Sequence, residues 1–297
     1  MTTLEKPPVG ADRILVGTAA TIYAYKLDGT GEAVDAGTVT VTVTGADGNV
    51  VMTAQTATED TATHQLSRTL TATQNNQLDW LTAVWTDASD STSWTTYHEA
   101  VGGFYFTVSQ ARRADPTFAS SDYSAETLRA LRDEVEREFE SDQAIGRGLV
   151  PRYARERVSE GYVSKPDLRR VRSITGIMAD GETWEPFTAA QILTIPPADL
   201  GAVVVPGYAW PAGDFVIEYE YGLDRLPPDL SRAILERLRY LSGRTSTGIP
   251  DKALTFSANG PGGGSYGLAV EGRAGFITAM PGVDLLIKRY RVRPPVG

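Results

Sequence analysis

Between residues 12 and 109 the apolar positions fall in short runs, and the clearest run alternates. Val39-Thr40-Val41-Thr42-Val43-Thr44 repeats with period two, which sends valines to one face of a strand and threonines to the other. Ile14-Leu15-Val16, Thr21 to Tyr25, Val50-Val51-Met52, Gln65 to Leu70, Trp80 to Trp85, Thr92 to Tyr97 and Phe104 to Val108 are further strand candidates. Turn residues separate them at Asp28-Gly29, Asp47-Gly48-Asn49, Asn75-Asn76 and Asp87-Ala88-Ser89-Asp90. About seven or eight short strands with threonine-rich outer faces predict an Ig-like β-sandwich over residues 1–110, without the cysteine pair of antibody domains.

The period then changes. Residues 111–123, with Arg112-Arg113-Ala114-Asp115-Pro116 and Ser120-Ser121-Asp122, read as a linker. Ser124 is placed to cap a helix, with Glu126 in its first turn and Leu128, Leu131, Val135 and Phe139 on one narrow face. Residues 155–221 return to strands: Val171 to Thr175, Gln191 to Ile195, Ala202 to Val205 and Phe215 to Tyr221, with a hairpin signal at Asp180-Gly181. Pro227-Pro228-Asp229 opens a second helix. Its Leu230, Ile234 and Leu241 share a face, while Leu235 and Tyr240 lie well round from it. A helix this broadly apolar is covered on two sides, and a neighbouring subunit is one way to supply the second cover. Residues 242–267, rich in glycine, predict a long mobile loop. A short helix after Met280-Pro281 carries Val283, Leu286, Ile287 and Tyr290 on one face. The fold class expected is mainly β with a few helices: a sandwich at 1–110 and an α+β domain at 124–297.

Composition narrows the chemistry. The 297 residues include no cysteine and two histidines, which excludes disulfides, thiolate metal sites and cysteine catalysis, and disfavours histidine-based chemistry. The net charge is −9, and residues 1–110 carry twelve acids and four bases. Such a chain suits sequence-specific nucleic-acid binding poorly. No apolar run approaches the roughly 18 residues of a membrane span, and Met1 to Pro8 lacks a signal peptide's apolar core. The loop Gly260 to Gly267 matches neither phosphate-binding fingerprint. Glu218 and Glu220 alternate on one strand face, the pattern of a solvent or interface side rather than of a glycosidase pair. His64 and His98 read as surface residues, the turn aspartates as backbone-capping groups, and Trp80, Trp85 and Trp94 as sandwich core rather than a sugar platform. No catalytic, cofactor or metal site emerges. The segment Lys288, Arg289, Tyr290, Arg291, Val292, Arg293 is basic without an acid and alternates, as a tail or a docking strand does.

Residues 116–297 also resemble the head-to-tail adaptor (head-completion or connector) proteins of long-tailed phages, particularly those infecting actinobacteria. The resemblance rests on Phe215-Val216-Ile217-Glu218-Tyr219-Glu220-Tyr221-Gly222-Leu223-Asp224, on Pro227-Pro228-Asp229-Leu230 leading to Arg239-Tyr240-Leu241, and on Ser246 to Ala253, Gly272-Arg273-Ala274-Gly275 and Met280 to Asp284 running into Lys288-Arg289-Tyr290. It implies a non-enzymatic virion protein at the neck, assembled in the host cytoplasm into a homo-oligomeric ring of about twelve copies beneath the portal. Leu128, Leu131, Val135, Phe139, Leu235 and Tyr240 would then face neighbouring subunits. The arm 280–297, with residues 288–293 at its end, would dock on the portal protein, a stopper, tail terminator or other neck protein would lie below, and DNA would pass down the ring without specific contacts. No membrane or cofactor is implied. Small adaptors lack a sandwich like residues 1–110. The competing expectation is an Ig-like carbohydrate- or surface-binding module of a tail or baseplate protein, carried by the three tryptophans and the turn aspartates.

Overall fold

A computed structural model describes residues 3–5, 11–141, 143–158, 163–165, 167–177, 183–184, 187–197, 203, 214–242, 253–258, 264–268, 277–278 and 280–291. The protein is mainly β with a few helices, 35% strand and 25% helix, as its periodicities predict. The strands are β1 (Thr3–Glu5), β2 (Asp12–Leu15), β3 (Ala20–Tyr25), β4 (Val39–Thr44), β5 (Val50–Thr56), β6 (Thr58–Asp60), β7 (Gln65–Leu70), β8 (Asp79–Asp87), β9 (Ser93–Val101), β10 (Arg152–Val158), β11 (Leu168–Ile177), β12 (Thr183–Trp184), β13 (Asp214–Tyr221), β14 (Ala253–Ala258) and β15 (Gly264–Leu268). The helices are α1 (Val108–Ala114), α2 (Ala125–Glu140), α3 (Ala189–Ile192), α4 (Pro228–Leu241) and α5 (Pro281–Tyr290).

These elements fall into two compact units, and neither is a continuous stretch. One, the β unit, comprises Met1–Gly103 and Pro151–Gly222; the other, the helical unit, comprises Phe104–Val150 and Leu223–Gly297. The expected division into 1–110 and 124–297 therefore does not describe the packing. Nor are residues 111–123 a linker. Thr107 caps α1 in a reciprocal capping box with Gln110, Asp115 caps the 3-10 turn Pro116–Phe118, and Ala111 and Phe118 are buried. The polar composition that resembled a linker is cap chemistry.

In the β unit, a five-stranded sheet ordered β2-β9-β8-β4-β5 and a three-stranded sheet ordered β3-β7-β6 share one core. Val39, Val41 and Val43 of β4 point into it as the alternation predicts, beside Trp85 and Ala83 of β8, and meet Ile22 of β3 and Leu66 and Leu70 of β7. A second five-stranded sheet, β1-β10-β13-β11-β12, has its own core around Ile174, Phe215, Ile217 and Tyr219. β11 and β12 pair across the predicted Asp180-Gly181 turn, which itself lies outside the described residues. The strand expected at Gln191 to Ile195 is instead the short helix α3 and its exit. Thr188 and Gln191 form a capping box there, and that local bonding overrides the β-branched residues beyond it.

The β unit is bound together by charge as well as by apolar packing. Glu99 of β9 accepts two hydrogen bonds of 2.6 Å from Arg152 of β10, and Arg13 of β2 lies 3.3 Å from the same carboxylate. All three residues are buried. Burial pushes the Glu99 carboxyl up, but Arg152 and Arg13 outweigh it and hold it below its ordinary value. His98, expected at the surface, is 1% exposed. Its ring lies 3.1 Å from Thr96 Oγ1, which also accepts from Trp85 Nε1, and burial lowers its pKa from 6.5 to about 4.

In the helical unit, the apolar stripe of α2 is covered from within the same chain. Leu128, Val135 and Phe139 are fully buried with Leu230, Ile234 and Leu238 of α4 and Val283 and Ile287 of α5. Arg237 of α4 grips both oxygens of Glu138 at 2.8 and 2.9 Å and donates to the Thr278 carbonyl. Within the glycine-rich stretch expected to be loop, β14 and β15 form a hairpin that opposes Phe256 and Tyr266; residues 243–252 and 259–263 lie outside the described set.

Candidate functional site

The polar face of the second sheet is set by register. Glu218 of β13 sits opposite Arg155 of β10 and Ser173 of β11, and Glu220 sits opposite Tyr153 and Arg170. Period two puts these side chains on one face and Ile217 and Tyr219 in the core behind. Irregular pairing in β11, between Leu168 and Arg170 and between Val171 and Ser173, brings Arg172 to the same side. Arg170 and Arg172 both donate to Glu220 Oε1, at 2.7 to 2.8 Å. Tyr153 and Ser173 donate to the two oxygens of Glu218, at 2.9 and 2.6 Å.

This face forms one wall of a cleft of about 530 Å³ within the β unit, in the size range of small-molecule sites. Asp47, Gln77 and Asp79 contribute from the sandwich, and Phe187, Ile192 and Leu193 form an apolar rim. The Asp47 side chain is fixed by a turn: it accepts from the Asn49 backbone, and Gly48 takes the left-handed conformation, φ 80°, that glycine favours. Asp79 is 3% exposed and accepts from the Ala46 and Trp80 backbone amides. Burial raises its pKa, and those amides and Arg172 offset this only in part. Tyr153 packs edge-on against Trp80, with ring centroids 5.2 Å apart; burial and the adjacent Glu218 push its phenol far above the ordinary value.

Chemically, the cleft offers fixed carboxylates and guanidinium groups beside an apolar lip. Both Glu218 oxygens are already engaged by donors, and the phenol stays protonated. Sequence reasoning found Glu218 and Glu220 as an alternating pair on a solvent or interface side. It missed Asp79, Tyr153, Arg170, Arg172 and Ser173, because strand register and the approach of the start of β8 bring them together.

The other expected site residues are elsewhere. Trp85 is fully buried, Trp80 is 8% exposed, and Trp94 packs partly buried against the sandwich core, so the three tryptophans form no exposed platform. The turn aspartates serve the backbone: Asp28 accepts from Thr30 and Glu32, Asp87 from Ser89, and Asp90 from Thr92. Leu128, Val135 and Phe139, expected between subunits, lie in the chain's own core, with Leu131, Leu235 and Tyr240 partly buried at its edge. Of the expected docking arm, Lys288, Arg289 and Tyr290 form the last turn of α5 and Arg291 ends it; Val292 and Arg293 lie outside the described residues. The alternation that suggested a strand is overridden because Val283 and Ile287 bury at helical spacing and the Tyr290 hydroxyl donates to Asp229 of α4 at 2.8 and 3.0 Å. No protein-family model and no curated protein matches the chain.

Proposed function

We propose that this chain is a head-to-tail adaptor of a long-tailed phage particle: a non-enzymatic neck protein that forms a ring beneath the portal and leaves a channel for DNA. The observation that supports this best is the order of elements from α2 to α5. An acidic amphipathic helix (α2), a β insertion, the strand end Tyr221-Gly222, a proline-started helix (α4) and a final helix with a basic end (α5) follow in the order on which the resemblance rests. The β insertion joins the N-terminal sandwich, which we read as Ig-like, in an outward-facing unit. Portal contact falls to the exposed side of α5, where Leu285 is 69% exposed near Lys288 and Arg291. Subunit contact falls to Leu235 and Tyr240. Removing α5 would expose the core, so the informative variant changes only its surface. The triple variant Leu285→Asp, Lys288→Glu, Arg291→Glu is expected to keep the parent's circular dichroism and to lose about tenfold or more in binding to the portal ring. Parent-like binding rejects this docking face, and a parent that neither binds portal nor occurs in purified particles rejects the adaptor reading.

The cleft favours a second reading, in which the β unit binds a saccharide or a surface group. An array of glycans probed with the full chain and with Arg172→Ala tests it: binding by the parent that Arg172→Ala reduces supports the reading, and no binding by either removes it.

A further inference from the structure

A separate cluster lies at the edge of the sandwich, away from the cleft. Asp35 comes from the β3–β4 connection, Glu59 from the short strand β6, and His64 from the turn into β7. One ligand atom from each lies within 4.8 Å of the other two. The fold holds the three segments in place. Asp60 pairs with Gln65 across the β6–β7 turn, which folds His64 back over Glu59, and the His64 amide donates to the Asp60 carbonyl at 2.7 Å. The Ala36 amide, next to Asp35, reaches Glu59 Oε1 at 3.4 Å and ties the connection to β6. His64 Nδ1 lies 3.2 Å from the same oxygen.

We propose that Asp35, Glu59 and His64 form a binding site for a single divalent metal ion of the zinc class. Zinc takes imidazole nitrogen and carboxylate oxygen at about 2.0–2.2 Å, so neighbouring ligands of a tetrahedral ion stand roughly 3.3–3.5 Å apart. The Glu59–His64 separation, 3.2 Å, is within about 0.1 Å of this range, and the exposed Asp35 side chain has the freedom to close the third position. Two carboxylates against one imidazole leave negative charge for a dication to neutralise, in the stretch 1–110 where acids outnumber bases twelve to four. The imidazole selects zinc, cobalt, nickel or copper over magnesium and calcium, which prefer all-oxygen sites. Three protein ligands leave a fourth position for water or for a donor from another molecule. A bound ion would pin the β3–β4 connection to the β6–β7 turn.

The chain suits the test, because it has two histidines and no cysteine, and His98 is buried. His64 has φ 56°, so the variant of choice is His64→Asn, which removes the imidazole but tolerates the left-handed backbone. Titration of the full chain with zinc chloride near neutral pH is expected to show one saturable site. His64→Asn, Glu59→Gln and Asp35→Asn are each expected to weaken it by about tenfold or more. Cobalt(II) should occupy the same site and give visible d–d absorption that His64→Asn abolishes, and magnesium should not compete. Thermal unfolding in EDTA should be the same for parent and His64→Asn, showing that the fold survives. Absence of saturable zinc binding at millimolar concentration, or binding that His64→Asn leaves unchanged, overturns the proposal.

Discussion

Glu99→Gln is expected to cost the β unit about 3–5 kcal/mol, the range for breaking one partner of a buried ion pair. The substitution keeps the size of the side chain but removes the carboxylate shared by Arg152 and Arg13, two arginines that are 3% and 9% exposed. Their charges then face a neutral amide in a place water does not reach. The loss should therefore come from the charges that remain more than from the hydrogen bonds removed. A triple variant, Glu99→Leu with Arg152→Met and Arg13→Met, separates the two sources. It should recover much of the stability, because a well-packed apolar cluster does not carry the desolvation cost. Urea denaturation followed by tryptophan fluorescence reads this unit alone, since Trp80, Trp85, Trp94, Trp184 and Trp210 all fall within its two stretches. A single-variant loss below about 1 kcal/mol, the range of an exposed pair, would show that solvent reaches these charges.

The neighbouring residue gives the second large effect, and it appears only on acidification. Burial holds His98 neutral, with its pKa lowered from 6.5 to about 4. Between those values the unfolded chain takes up a proton that the folded chain refuses. The stability from neutral His98 is thus complete above pH 6.5 and is lost progressively as pH falls towards 4. The separation of the two pKa values corresponds to roughly 3 kcal/mol. His98→Gln cannot titrate and retains a partner for Thr96. The stability difference between parent and His98→Gln should therefore shift by roughly 3 kcal/mol in the variant's favour between neutral pH and pH 4. A constant difference across that range would mean that the imidazole titrates as it does in water.

What the sequence revealed and what it hid divide along a physical line. Local periodicity was legible. The valine–threonine alternation gives β4 its buried and outward faces, and the spacing of Leu128, Val135 and Phe139 gives α2 its buried stripe. The capping residue Ser124 is also where a reading of sequence puts it, accepting from the Thr127 amide at 3.0 Å. His98 was within reach of the same rule. It lies two residues from Thr96 and Ala100, on the inward side of β9, and its polarity alone suggested exposure. The partners of each face were not legible. Nothing local to Leu128 or Phe139 says whether a second chain or a later segment of the same chain covers it. Charge composition set residues 1–110 apart, but packing returns residues 151–222 to the first unit. The cleft was half visible for the same reason: alternation exposes Glu218 and Glu220, whereas Asp79 and Tyr153 reach them only through tertiary approach.

Because each unit is stitched from two separated stretches, the order in which residues leave the ribosome becomes a schedule of maturation. The β unit is complete once β13 has emerged, since nothing after Gly222 belongs to it. At that moment α2 has long been made, yet the helices that cover Leu128, Val135 and Phe139 have not: α4 and α5 come later. A nascent or truncated chain that stops between them carries a finished head and an unsheathed oily helix. Emergence of α4 and α5 covers that helix last, and the Tyr290 hydroxyl of α5, donating to Asp229 of α4, ties the two covering helices together.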